Sequence, residues 1–311
     1  MRKHPLALVF SLATACAFAG SPASAQFYKD KTLTLLVNYG AGGNADTEAR
    51  VYQHFLPKYI PGNPNVVIQN APGAGGLKAM NMLGLHIGSK ADGLTAGYFT
   101  IGALAPIVDD PALEVKLYDF AFIGAARGWT LAYGRKDIPP NGIKAPADLA
   151  KATKIFGGGY SRSSSHDTQI RLTVEIFGRP YSMVTGFPGT AELNKAMLQN
   201  EVNFTVSSLP GYQTQVLPDI IQAGVGLPFF QYTIVGPNGE NVANPSLEKQ
   251  GIKSLQEVYK QAFGKDPSGP KYQALVLMTD IGSELQRGLV LPHGSPDEAV
   301  KELREGFQKT A

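Results

Sequence analysis

Cysteine is nearly missing from this chain. Cys16 is the only one among 311 residues, so the remainder cannot be held by disulfides and must rely on its core. Charge excess is missing too. There are 28 basic and 25 acidic residues, and without Arg2 and Lys3 the balance is 26 to 25. That excludes the basic surface expected of a nucleic-acid or anionic-membrane binder. The apolar run Pro5–Ala19 is short for a membrane span, and no later run reaches spanning length. His54, His86, His166 and His293 stand apart, without metal-ligand spacing, and no metal or cofactor is expected.

What is present begins with a targeting signal. Arg2, Lys3 and His4 precede the apolar run, and Ala23-Ser24-Ala25 forms a small-x-small cleavage site. Residues 1–25 therefore read as a secretory signal peptide cleaved after Ala25. An uncleaved anchor is the alternative. Lipidation at Cys16 is a further one, although Ala13 is not the large aliphatic residue that such a site favours. The mature chain is long enough for two lobes.

Two glycine-rich turns follow. "NYGAGGNADTEARVY" (Asn38–Tyr52) and "NAPGAGGLKAM" (Asn70–Met80) each join a short apolar run to an amphipathic one. The runs "TLTLLVN" and "VVIQ" read as strands, and Tyr52, Phe55, Leu56 and Tyr59 recur at helical spacing. The pattern returns later: "TKIF", the loop "GGGYSRSSSH" (Gly157–His166), then a helix face at Ile170, Val174 and Phe177. Ser164 and Asp167 have capping-box spacing. A glycine loop over Gly186–Thr190, the strand "VNFTVSS" and a last strand in "GLVLPHGSP" complete the series. Alternating strands and helices predict an α/β protein with parallel-rich sheets and flanking helices.

Three chemistries compete for the loops. Gly40–Ala45 matches G-x-G-x-x-A, but a dinucleotide site needs an acid after the second strand, and no Asp or Glu lies between Glu48 and Asp92. No G-K-[ST] follows any loop, which removes a P-loop. A secreted hydrolase would use the loop 157–166, yet "GYSRS" lacks the last glycine of a nucleophile elbow, and His166 lies only five residues after Ser161. Anion binding without chemistry fits better. Helix N-termini offer unpaired N–H groups and partial positive charge, and glycine lets a ligand reach the backbone.

Taken together, "GAGGNAD", "QNAPGAGG", "YDFAFIG", "GGYSRSSSH", "VTGFPGTAELNKAMLQNEVNF" and "GLVLPHGSP" resemble the periplasmic solute-binding receptors of tripartite tricarboxylate transporters, the Bug receptors, in order and over nearly the whole mature chain. The chain departs from the pattern at Asn38, where the family's strand usually ends in Pro, and at Ala45, where a hydroxyl or amide residue is common. The resemblance implies a two-lobed periplasmic clamp, with the ligand cleft between lobes, that binds a small organic anion, a carboxylate, through backbone groups and passes it to membrane permease subunits. It implies a monomer and no enzymatic activity; a ligand sensor without transport is the alternative. The ligand-binding residues it implies are Tyr39, Gly40, Ala41, Gly42, Gly43, Asn44 and Asp46; Gly73, Ala74, Gly75 and Gly76; Tyr160, Ser161, Arg162, Ser163, Ser164, Ser165 and His166; Gly189 and Thr190; and Ser207 and Ser208. Arg162 either reaches into the cleft, favouring dicarboxylates, or lies solvated on the loop's outer side. The expected lobes are 26–126 with 228–311, and 127–227, with crossings near residues 125–130 and 224–231.

Overall fold

The computed structural model describes residues 26–101 and 104–310. Residues 1–25, where a signal peptide is expected, with Cys16, and Ala311 lie outside the described residues. Each strand–loop–helix unit forms as the pattern predicts. β1 (Thr32–Val37) leads through the first glycine loop into α1 (Asn44–Phe55), β2 (Asn65–Asn70) through the second into α2 (Leu77–Gly84), and β3 (Thr95–Phe99) follows. After the short turn α3 (Leu104–Ile107), β4 (Phe120–Ala126) passes into β5 (Thr130–Arg135). Then come β6 (Ile155–Gly158), α4 (Ser165–Ile176), β7 (Tyr181–Val184), α5 (Thr190–Leu198), β8 (Phe204–Ser208), the single turn α6 (Leu209–Gly211) and β9 (Gly226–Gln231). A small hairpin, β10 (Ile234–Val235) with β11 (Asn241–Val242), precedes α7 (Pro245–Lys249), α8 (Leu255–Phe263) and α9 (Pro270–Glu284). β12 (Arg287–Pro292) and α10 (Asp297–Thr310) close the chain.

Two five-stranded sheets result, in the orders β2-β1-β3-β12-β4 and β7-β6-β8-β5-β9. In each, four strands run one way and one runs against them. That reversed strand is β12 in the first sheet and β5 in the second. Each sheet has its own core. Leu33, Leu35, Val37, Tyr98, Leu289 and Leu303 pack in one, and Ile155, Ile170, Val174, Phe204, Phe230 and Leu275 in the other. Each such side chain, taken out of water, contributes about 1.5–3 kcal/mol before entropy is counted. Among the described residues no helix is long and apolar enough to cross a membrane.

The second crossing lies later than expected from sequence. β9 is hydrogen-bonded to β5 in the second sheet, and Leu255, Val258 and Leu275 pack in the second core. The chain re-enters the first sheet only at Arg287. Gly226 pairs with Arg135, at the end of β5 away from the first crossing, so Gly224 and Gly226 cannot serve as a hinge between sheets. The two crossing segments instead touch each other. Gly128 N donates to Ser283 O at 3.0 Å, and a side chain at Gly128 would collide with Gln286.

Candidate functional site

In a sheet with mixed directions, the start of a reversed strand lies beside the carboxyl ends of its neighbours. The loops after β1, β2 and β3 therefore share one edge with the first residue of β12, which is Arg287. In the second sheet the loops after β6 and β8 share an edge with Thr130 at the start of β5. These two edges face each other and form the cleft.

Contacts across the cleft are direct. Asn44 Nδ2 donates to Ser207 Oγ at 3.1 Å and to Ser208 Oγ at 3.4 Å. Gly40 N donates to Pro188 O at 3.0 Å, and Gln215 Nε2 to Gly42 O at 2.7 Å. The rings of Tyr39 and Tyr160 meet edge to face with centroids 5.2 Å apart. Ser161 sits over Gly75, where a Cβ would collide with its hydroxyl.

Two cavities lie on either side of the tyrosine pair. The inner one, about 20 Å³, is lined by Tyr39, Gly43, Asn44, Tyr160, His166, Gly189, Thr190 and Ser208, with Ala45, Thr100 and Arg287. That volume suits about one water-sized group. The outer one, about 200 Å³, is lined by Tyr39, Gly73, Ala74, Gly75, Gly76 and Tyr160, with Pro72 and the loop Gly186–Pro188. Residues of both glycine loops and of the second-lobe loops thus meet at these cavities.

The other expected residues have different positions. Ser164 caps α4, its Oγ accepting from Asp167 N at 3.1 Å and donating to Asp167 Oδ1 at 2.6 Å. Tyr160 N and Ser161 N also donate to that carboxylate oxygen, at 2.7 and 3.4 Å, so the loop is folded around Asp167. Burial pushes the Asp167 pKa up despite these bonds. Asp46 braces its own loop. It accepts from Gly42 N at 2.9 Å and pairs with Arg50 at 2.9 Å. Burial opposes its charge, but Arg50 and the Gly42 N–H outweigh that and lower its pKa. Gly40, Ala41, Gly42, Ser163, Ser165 and Ser207 line neither cavity. Arg162 is a correction: its side chain is exposed, it lines neither cavity, and only its carbonyl is engaged, by Arg171 Nη1 at 2.9 Å. Ser163 and the cap residue Ser164, which follow it, are buried.

The cation in the cleft is Arg287, which sequence reasoning passes over. It is 4% exposed. Its Nη2 donates to Glu48 Oε1 at 2.9 Å, and its Nη1 donates to Thr100 Oγ1 at 2.9 Å and to Gln286 O at 2.8 Å. Nε lies 2.9 Å from Glu48 Oε2, but out of line, and makes no hydrogen bond. Burial opposes the charge; Glu48 outweighs it and keeps the guanidinium protonated. Thr100 is itself fixed by Asn38, which donates to Thr100 O at 3.0 Å and accepts from Thr100 N at 3.1 Å. The available signal was a lone arginine heading the otherwise apolar strand "RGLVLP". His166 lies nearby, its ring 5.4 Å from that of Tyr160. Burial, and then the Arg287 charge, lower its pKa to about 4, so it is neutral at pH 7.

No family model matches the chain, and no curated protein matches it. Solved structures do. The periplasmic binding protein BugD has a TM-score of 0.68 at 19% identity, over 91% of this chain and 83% of that one. MatC from Rhodopseudomonas palustris, with bound malate, has a TM-score of 0.67 at 17% identity, over 90% and 84%. A second R. palustris protein, with adipate, has a TM-score of 0.66 at 20% identity, over 89% and 82%. At these identities the similarity is one of fold, and the chain has the two-lobed α/β fold of these periplasmic binding proteins.

Proposed function

We propose that the chain is a periplasmic solute receptor of the tripartite tricarboxylate transporter type, which closes on a small organic carboxylate and delivers it to membrane permease subunits. One observation carries this reading: two glycine loops of the first lobe and two loops of the second converge on one cleft, whose walls touch directly across it. The bound malate and adipate of the similar proteins support a carboxylate. The lobes are taken as 26–126 with 287–310, and 130–284. Tyr39, Asn44, Gly73–Gly76, Tyr160, His166, Thr190 and Ser208 would form the ligand's surroundings.

A hydrolase reading has less support. Ser164 is engaged in the cap of α4, and His166 faces Tyr160 and Arg287 rather than a nucleophile. Trp129, the single tryptophan, stands on the first crossing, with its carbonyl bonded to Leu209 N at 2.8 Å. Titrating its fluorescence with mono- and dicarboxylates should give saturable changes. A flat response to every acid, with folded protein, would count against the receptor reading.

A further inference from the structure

We infer that Arg287 is the charged anchor of the cleft, receiving a carboxylate oxygen of the ligand in the inner cavity, with Glu48 as a positioning residue behind it. The inference rests on the receptor reading above and adds to it. A cleft built only from glycine loops would bind anions through backbone N–H groups. This one also carries a buried guanidinium, held from behind by Glu48.

Three observations lead there. The first is position. Arg287 heads the reversed strand of its sheet, so it stands at the cleft edge among the loops after β1 and β3, and it lines the inner cavity with Asn44, Thr100 and His166. The second is the distribution of charge. Glu48 does not line that cavity, and Asp46 faces Arg50 and Gly42 N, so neither carboxylate is among the lining residues. The neutral His166 beside the guanidinium adds no competing cation. The third is preparation. Thr100, Gln286 and Glu48 take three of the five N–H donors in line, and Nε faces Glu48 Oε2 at 2.9 Å, so the second Nη2 N–H is the donor left for an arriving acceptor. A guanidinium held this way is already oriented, so little side-chain freedom is lost when an acceptor arrives.

A structural strut is the competing account. Buried ion pairs seldom add net stability, because removing two charges from water offsets their attraction. A strut would therefore gain little from these charges. For an arriving anion, the same low-dielectric setting strengthens the attraction.

The test compares acids with their neutral amides on the intact chain. The probes are aliphatic mono- and dicarboxylates of about two to six carbons, malate and adipate included, matching the scale of a small-ligand cleft. Removing Arg287 alone would strand Glu48, so the variant is Glu48→Gln with Arg287→Gln, checked for folding by its melting curve. In the wild type, the tightest acid should bind much better than its amide. In the double variant, the acid should lose about thirtyfold or more, and the acid-over-amide preference should collapse. In Glu48→Gln alone, Arg287 keeps its charge and loses its internal partner. The charge stays but is less well oriented, so the acid should weaken by less than in the double variant and part of the acid-over-amide preference should remain; equal affinities in Glu48→Gln and the double variant would overturn the role of the Arg287 charge. If wild type binds an acid and the double variant keeps the preference, the inference is overturned while the receptor reading stands. If wild type binds no acid in the panel, both fail. If neither Gln variant folds, Arg287→Lys decides: the acid should weaken against its amide, and an unchanged preference would overturn the inference.

Discussion

Asn44 Nδ2 lies 3.1 Å from Ser207 Oγ, joining the first glycine loop to the end of β8 across the cleft. The amide also reaches Ser208 Oγ at 3.4 Å and fills the space over Gly211, where a Cβ would collide with it. Asn44→Ala should weaken the closed form by about 1–2 kcal/mol, from two modest hydrogen bonds and lost packing. Small-angle scattering should report a larger ligand-free particle than wild type, and carboxylate affinity should drop about 5–30-fold, the equivalent of that energy. Identical scattering would show that this contact does not hold the lobes together.

Gly75 and Gly42 share a left-handed backbone, with φ of +64° and +76°, but differ in surroundings. A Cβ at Gly75 would meet Ser161 Cβ at 2.7 Å, from the opposite lobe, whereas Gly42 has nothing within 4 Å. Gly42→Ala should cost about 1–2 kcal/mol of stability through backbone strain alone and retain binding. Gly75→Ala should suffer the same strain and also obstruct closure, losing most of its binding. Adding Ser161→Gly should restore part of that binding. No restoration would place the defect in the loop backbone instead.

His166 makes stability depend on pH. Its folded pKa is about 4, against about 6.5 for an unfolded histidine. The unfolded chain therefore binds the proton first as pH falls. The stabilising contribution is complete above about pH 6.5 and is lost progressively as pH drops through about 4. Asp167, with its raised pKa, acts in the opposite sense, so the comparison must be with His166→Gln rather than across pH alone. Wild type should lose more melting temperature than His166→Gln between pH 6.5 and 4; parallel curves would mean that the histidine is not held neutral.

Arg162 should matter little. Exposed substitutions without partners usually change free energies by less than about 0.5 kcal/mol. Arg162→Ala should leave mono- and dicarboxylate affinities alike within about twofold of wild type, measured by calorimetry. A selective loss of dicarboxylates would return this side chain to the site.

Local signals made much of this legible. Periodicity locates β1, β2, β6, β8 and β12 and the helices α1 and α4, and Ser164 with Asp167 forms the cap that its spacing predicts. Glycine loops at the carboxyl ends of parallel strands converge because chain direction requires it. The return crossing was not legible. β9 and the helices Leu255–Glu284 belong with the second sheet through pairing and packing partners distant in sequence, and no composition change marks Arg287 as the point of re-entry. For the same reason Arg287 was passed over. Its importance comes from strand reversal, which places a strand's first residue at the cleft, and periodicity carries no sign of strand direction. Arg162 is drawn into the site set by its loop motif, with its direction left open, and the structure shows its side chain exposed.

The central claim is that the cleft holds a small carboxylate and releases it unchanged. Calorimetric titration of the protein with the carboxylate panel, followed by chemical analysis of the recovered acid and of matching esters and amides, tests it most directly. The expected result is one-to-one binding of at least one acid at about micromolar strength, roughly 8 kcal/mol, with every compound recovered intact. Absence of binding across the panel, or turnover of an ester or amide, would contradict it.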